Sequence, residues 1–230
     1  LLQLQNWGRE PGALNSPNSD HCVRFIYKRN KEDYLRLNPV KDEIDWQPGN
    51  TLEISGWDLR KVLQLLNSSH PELFEFLFSP IVYFSTDTFC ELKELAQRYF
   101  SPQKSMLYYW HTASENYKEY LASDRVRIRD YFYVLRPLLA AKYILTHNCL
   151  PPVEFSKLMG TEFPAELREE VLRLQRLKRN FSELVYALKI VVLNEYIESV
   201  LDELKKESLQ VEPETYEWDE LNQFFLKQLQ

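Results

Sequence analysis

Asp20 and Cys22 stand two residues apart where a polar, turn-forming run tips into the alternating stretch "CVRFIY". On a strand, side chains at i and i+2 point to one face, so these two project together. Glu53 lies in "LEI", an acid between two apolar residues of a second strand-like run. A carboxylate set among apolar neighbours is costly unless a cation, a metal or open water meets it. Two acids and a thiol converging from neighbouring strands would suit divalent metal and phosphate chemistry, in which metal ions flank an in-line displacement. A solvated strand end beside an edge-strand glutamate would show the same spacing, so spacing alone leaves both readings open.

The elements that must position these residues read as follows. Strands are expected at "LLQLQ", 22–27, "EIDW", 51–55 and 81–84, with Gly and Pro punctuating 8–18. "KEDYLRL" and "PELFEFLF" read as short helices, the second with Pro at its first turn. In "GWDLRKVLQLLN" the residues Trp57, Val62, Leu65 and Leu66 form a helical apolar stripe, and "STDTFCELKELAQRYF" opens on a capping sequence. From residue 101 onward everything reads helical, in segments 101–121, 124–147, 153–159, 164–178, 181–206 and 217–229, with a kink expected at Pro137. Strands first and helices after predict an α+β chain: a small mixed-sheet domain over 1–100 and an all-helical domain over 101–230.

The composition is that of a globular protein: 230 residues, 44% hydrophobic and 27% charged. The formal charge of −6 gives no global attraction for nucleic acid, so binding of that kind needs a local basic patch. Three widely spaced cysteines without a CxxC pattern point to a reducing compartment and against a disulfide framework or zinc site. No run approaches the ~20 apolar residues of a membrane helix, and nothing reads as a signal peptide. A cytoplasmic protein with no membrane partner is the expectation. The sequence begins at Leu1 rather than Met, so upstream residues are expected.

The blocks "SPNSDHCVRFIY", "LEISGWDLRKVLQLL", "HPELFEFLFSPIVY", "NYKEYL", "YFYVLRPLLAAKYI" and "LNEYIESVLDEL" follow one another in a telling order and spacing. In them the chain, from Leu1 to about Leu204, resembles a group of predicted bacterial and phage nucleotidyltransferases. These belong to the DNA polymerase beta-type superfamily, and some are associated with RNA ligases. The resemblance implies a Gly-Ser turn that binds a nucleoside triphosphate, an Asp-x-Asp on the next strand and a third acid on a later one, the acids holding two Mg²⁺ (or Mn²⁺) ions. Carried over, Gly8 falls on the turn glycine, Asp20 on the first Asp and Glu53 on the third acid, with Ser19 among the nucleotide-binding positions. The pattern is also broken: Arg9 stands where the serine is expected, "EPGAL" replaces the segment after it, and Cys22 occupies the second Asp position. A thiol of pKa near ~8.5 is mostly neutral at pH 7 and a soft ligand, poorly matched to Mg²⁺. Losing a bridging charge there should slow transfer by orders of magnitude. The Arg9 guanidinium has a fork geometry suited to phosphate.

Other residues carry two readings each. Lys61 is a phosphate contact by the resemblance, or a solvated residue behind Asp58, a first-turn acid meeting the helix dipole. Arg125, Arg129 and Arg136, with Tyr133 nearby, fall on one helical face that could grip RNA or a nucleotide, or be an ordinary charged side. Arg136, in the apolar "VLRPLL", needs an anionic partner: a phosphate, or an acid such as Glu115 or Glu119; Lys118 could face the same cleft. The four histidines show no ligand spacing. The acidic "VEPETYEWDE" reads as a solvated segment before a last helix, or as a docking face, since Trp218, Leu221, Phe224 and Phe225 form a helical apolar stripe. Two functions remain in play: transfer of a nucleoside monophosphate from an NTP to an acceptor hydroxyl of RNA or protein, and a degenerate module that binds nucleotide or RNA or serves as an interaction scaffold.

Overall fold

The computed structural model describes residues 2–6, 21–49, 52–180, 186–208 and 216–230. These form two compact units, one of 2–6, 21–49, 52–100 and 216–230, the other of 101–180 and 186–208. The first unit runs β1 (Gln3–Asn6), β2 (His21–Tyr27), α1 (Lys31–Tyr34), β3 (Glu43–Trp46), β4 (Leu52–Asp58), α2 (Leu59–Asn67), α3 (Pro71–Leu77), β5 (Val82–Ser85) and α4 (Asp87–Arg98). The second holds α5 (Pro102–Tyr120), β6 (Arg125–Arg127), α6 (Ile128–His147), α7 (Phe155–Thr161), α8 (Arg168–Asn180), β7 (Tyr186–Leu188) and α9 (Val191–Ser208). The last helix, α10 (Asp219–Gln228), lies in the first unit. The class is α+β.

The first unit is built on a mixed five-stranded sheet in the order β3-β4-β2-β1-β5. β2 and β4 pair in parallel, while β1 with β2, β1 with β5 and β3 with β4 pair antiparallel. The interior strand β4 runs through Gly56 and Trp57 to Asp58, so the expectation that Trp57 heads a helical stripe is corrected. Gly56 belongs in the strand because it pairs with Phe25, whose ring covers the site of its missing side chain. A Cβ there would lie 2.3 Å from that ring. Asp58 ends the strand and caps α2, its carboxylate accepting from the Arg60 N–H at 2.8 Å. Leu59, Val62, Leu63 and Leu66 then bury one side of α2. In α10, Leu221 is buried and Phe225 packs edge-on to Tyr34 with ring centroids 5.0 Å apart, so that helix spends part of its apolar stripe inside its own unit.

In the second unit α5, α6 and α9 supply the core, with Tyr131, Leu135, Leu138, Leu193 and Ile197 fully buried. The expectation of helix throughout is corrected by β6 and β7, which pair antiparallel as a two-stranded ribbon. Arg125 therefore lies on a strand and not on the α6 face that carries Arg129 and Arg136. The continuous helix expected over 181–206 begins only at Val191, and 181–185 lie outside the described residues. The physical reason is that β6 acquires its extended backbone from a partner some sixty residues away, which local periodicity does not register.

α6 continues through Pro137 as one helix. Proline has no N–H for the carbonyl four residues earlier, and the structure replaces it: Asn116 Nδ2 on α5 donates to the Tyr133 carbonyl at 2.8 Å. The helix closes on Asn148 in the left-handed region, φ 51°, a conformation asparagine tolerates. Asn116→Ala should cost about 1 kcal/mol in denaturant unfolding, the net value of one such bond. In a Pro137→Ala background, where the backbone supplies its own donor, the same substitution should cost measurably less. Equal costs in both backgrounds would show that the amide is not standing in for the missing N–H.

Candidate functional site

The parallel register sets Cys22 beside Glu53, Arg24 beside Ser55 and Ile26 beside Trp57. Paired residues share a face, so one side of the sheet carries all six. β3 adds Asp45 opposite Ser55 and Glu43 opposite Trp57 on that side. One end of this face is closed, with Ile26 fully buried and the Trp57 ring edge-on to Phe76 at 5.8 Å. The other end is open: Cys22 is half-buried and Glu53 exposed. The two positions that the resemblance assigned to metal-binding acids are thus neighbours on adjacent strands, at the solvent end.

Between the two ends lies Arg24, a residue that sequence reasoning passed over. Its Nε donates to Ser55 Oγ at 3.2 Å and its guanidinium covers the Trp57 ring at 4.3 Å. Burial pulls its pKa down, while Cys22, Glu72, Glu53 and Glu43 act to restore it. The signal was present in "CVRF", since Arg24 follows Cys22 by the two residues that keep a strand face. Lys61 reaches back from α2 to pair with Glu43, and the Lys61 hydrogen bond holds the Glu43 carboxyl below its usual range. Lys61 also lies 5.7 Å from the Trp57 ring centroid.

Cys22 decides what the open end can hold. Burial pushes its thiol pKa up and the Glu53 carboxylate pushes it further, against a smaller opposing pull from Arg24. The group is therefore a neutral thiol at pH 7. Of the donors the register brings together, Glu53 suits a hard divalent cation and Cys22 does not. Among the described residues no group of three or more His, Cys, Asp and Glu side chains is placed to hold a metal. Gly8, Arg9, Ser19 and Asp20 lie outside the described residues.

The remaining candidates have partners of their own. Asp58 is buried, where desolvation raises its pKa against hydrogen bonds from the Arg60 N–H and Tyr34 hydroxyl, the latter at 3.0 Å, and against the Arg29 guanidinium 3.8 Å away. This is the helix-capping reading of Asp58. Around it opens a small solvent-connected cleft lined by Arg29, Tyr34, Arg36, Asp58 and Arg60 among others. It lies at the far ends of β2 and β4, about 17 Å along the strands from Cys22 and Glu53 at ~3.3 Å per residue. Its cations already have partners, Arg36 the Asp33 carboxylate at 3.1 Å and Arg60 the Tyr34 carbonyl at 3.0 Å. Arg136, in the second unit, is half-buried and donates to the Val153 carbonyl at 3.4 Å. Arg129 stands 3.7 Å from the buried Asp130 carboxylate, which Arg127 also engages at 2.9 Å.

With this geometry in view, comparison with known proteins is informative. The family model described as "RNA repair pathway DNA polymerase beta family" matches residues 7–227. The chain is also similar to a protein of Bacillus subtilis (strain 168) described as the uncharacterized protein YcgL. The two are 37% identical over 223 residues, covering 95% of this chain and 85% of the relative. No helix among the described residues is long and apolar enough to cross a membrane.

The site makes two predictions. With the exposed Cys90 and Cys149 changed to Ser, iodoacetamide alkylation of Cys22 should speed up with pH, and Glu53→Gln should move that profile to lower pH by removing the repelling carboxylate. An unmoved profile would place Glu53 away from the thiol. The second concerns Tyr34, whose pKa is pushed up to about 12, chiefly by burial. A raised folded-state pKa means stability that is complete below the unfolded value of ~10 and is lost as pH climbs toward 12. Tyr34→Phe should flatten the loss of stability between those limits in pH-dependent unfolding; an unchanged slope would contradict it.

Proposed function

The chain belongs to the RNA repair pathway DNA polymerase beta family, and from that we propose that it transfers a nucleoside monophosphate from a nucleoside triphosphate to an acceptor hydroxyl, with RNA as the acceptor class. The observation that carries this reading is the parallel β2–β4 register, which sets position 22 and Glu53 side by side at the open end of the sheet face. Asp20 and Glu53 would hold the divalent cation, Mg²⁺ or Mn²⁺. When bound, it would neutralise the triphosphate and favour attack at phosphorus. Gly8, Arg9 and Ser19 would shape the turn that receives the phosphates. Arg24, fixed by Ser55 and Trp57, would keep a positive charge beside them. Lys61 would have to exchange Glu43 for phosphate to take part, and Arg136 its present contacts.

Cys22 sets the rate in this proposal. A neutral thiol beside Glu53, where the family pattern has an acid, leaves the site one negative charge short, so metal affinity and transfer should both be weak. The same fact supports a second reading, a protein that binds NTP and transfers little or nothing. Its basis is the thiol pKa, raised by burial and by Glu53.

Incubation with labelled NTPs and Mg²⁺ or Mn²⁺, with and without RNA, separates the two. On the first reading the wild type labels RNA slowly, Asp20→Ala and Glu53→Gln abolish labelling, and Cys22→Asp raises it by roughly 10²-fold or more, the scale of one transition-state charge contact. Nucleotide binding by the wild type with transfer only in Cys22→Asp would establish the second. Absence of both binding and transfer in wild type and Cys22→Asp would defeat both readings.

A further inference from the structure

The β6–β7 ribbon presents an unusual outer face. Pairing sets Arg125 opposite Leu188 and Arg127 opposite Tyr186, and alternation puts these four side chains on one side and Val126 on the other. Val126 is 1% exposed, whereas Tyr186 and Leu188 are 55% and 76% exposed. The ribbon thus turns its cations and its aromatic ring outward. The same mixture continues onto neighbouring helices: Arg127 lies 5.9 Å from the Tyr120 ring and Arg129 5.9 Å from the Tyr133 ring. Tyr120 and Tyr133 have centroids 6.4 Å apart, and Tyr133 is 48% exposed.

The cations here are paired to different degrees among the described residues. Asp130, almost fully buried, serves both Arg127 and Arg129, while Glu119 is engaged with the Tyr120 hydroxyl. Arg125 is exposed and has no ion-pair partner among the described residues. Among the described residues Arg125 thus brings an exposed cation with no ion-pair partner to this face, on a chain of net charge −6. An excess cation beside exposed rings matches a ligand with negative charge and flat apolar faces in alternation. Single-stranded nucleic acid has that structure; a duplex hides its base faces, and tyrosine stacking needs them free.

We propose that this face binds single-stranded RNA, with bases stacked on Tyr133 and Tyr186 and phosphates on Arg125 and its neighbours. The choice of RNA rests on the acceptor proposed above; the surface itself does not. Since most of the cationic charge is already paired, stacking should dominate and the salt dependence should be shallow.

The test is fluorescence anisotropy of a labelled single-stranded RNA of about 12 nucleotides, within the usual span of such sites, titrated with the full chain without NTP or metal. Tyr133→Ala and Tyr186→Ala should each weaken binding roughly tenfold, the scale of one lost base stack. Tyr133→Phe and Tyr186→Phe should retain it, which controls for folding. Arg125→Gln should weaken binding and reduce the slope of log affinity against log salt by about 0.7, one phosphate's share on a single strand. Unchanged affinity in both alanine variants would overturn the proposal, as would equal binding of a blunt duplex or of heparin. Capture by anionic phosphatidylglycerol vesicles without RNA binding would also overturn it and assign the face to a membrane. Because neither NTP nor metal is present, a protein that fails to transfer can still pass this test, and one that transfers can fail it.

Discussion

The parallel pairing of β2 with β4 is the constraint on which the candidate site depends. Parallel strands cannot be joined by a tight turn, and here the intervening chain includes α1 and β3. In-register pairing along seven residues leaves no freedom in what meets what: Cys22 faces Glu53, Arg24 faces Ser55, and Phe25 lies over Gly56. A slip by one residue would turn Glu53 to the opposite face and drive a side chain against the Phe25 ring. The close fit at Gly56 therefore also fixes the placement of the carboxylate three residues earlier.

That placement has an electrostatic consequence. Glu53 acts on Cys22 to keep the thiol protonated, and burial acts in the same direction. With an aspartate at position 22 the two carboxylates would repel at close range, and a multivalent cation would relieve the repulsion. With a thiol there is less repulsion to relieve, and Arg24, already held against Trp57, supplies part of the positive charge. The site so described has less need of metal than its family pattern implies.

The second unit shows how a local defect is made good from elsewhere. Pro137 removes a backbone donor from the middle of the longest described helix, and an asparagine from α5 fills the gap. Tyr131 performs a similar task at the exit of β7: its hydroxyl donates to Asn194 at 2.9 Å and accepts from the Ile190 N–H at 2.8 Å. These bonds hold the ribbon's return strand against α6, which in turn presents Tyr133 and Arg129 beside it. A polar network inside the unit thereby fixes the arrangement of groups on its outside.

Much of this was legible from residue order. Alternation in "CVRFIY" and short apolar runs between turn signals marked the five strands of the sheet, including the short β3 and β5, and capping residues such as Thr86 and Ser101 marked where helices begin. The side-chain chemistry of Asp20, Cys22 and Glu53, and the family they point to, could likewise be read without coordinates. Local pattern determines which face a side chain takes, because that depends only on backbone repeat. It does not determine which distant segment pays the entropy of closure and pairs with it. That is why β6 and β7 read as helix, why Trp57 was placed one element too late, and why Arg24 went unnoticed until Ser55 and Trp57 stood beside it. Which residues could do chemistry was written in the chain; which of them meet was decided by pairing and burial summed over the whole fold.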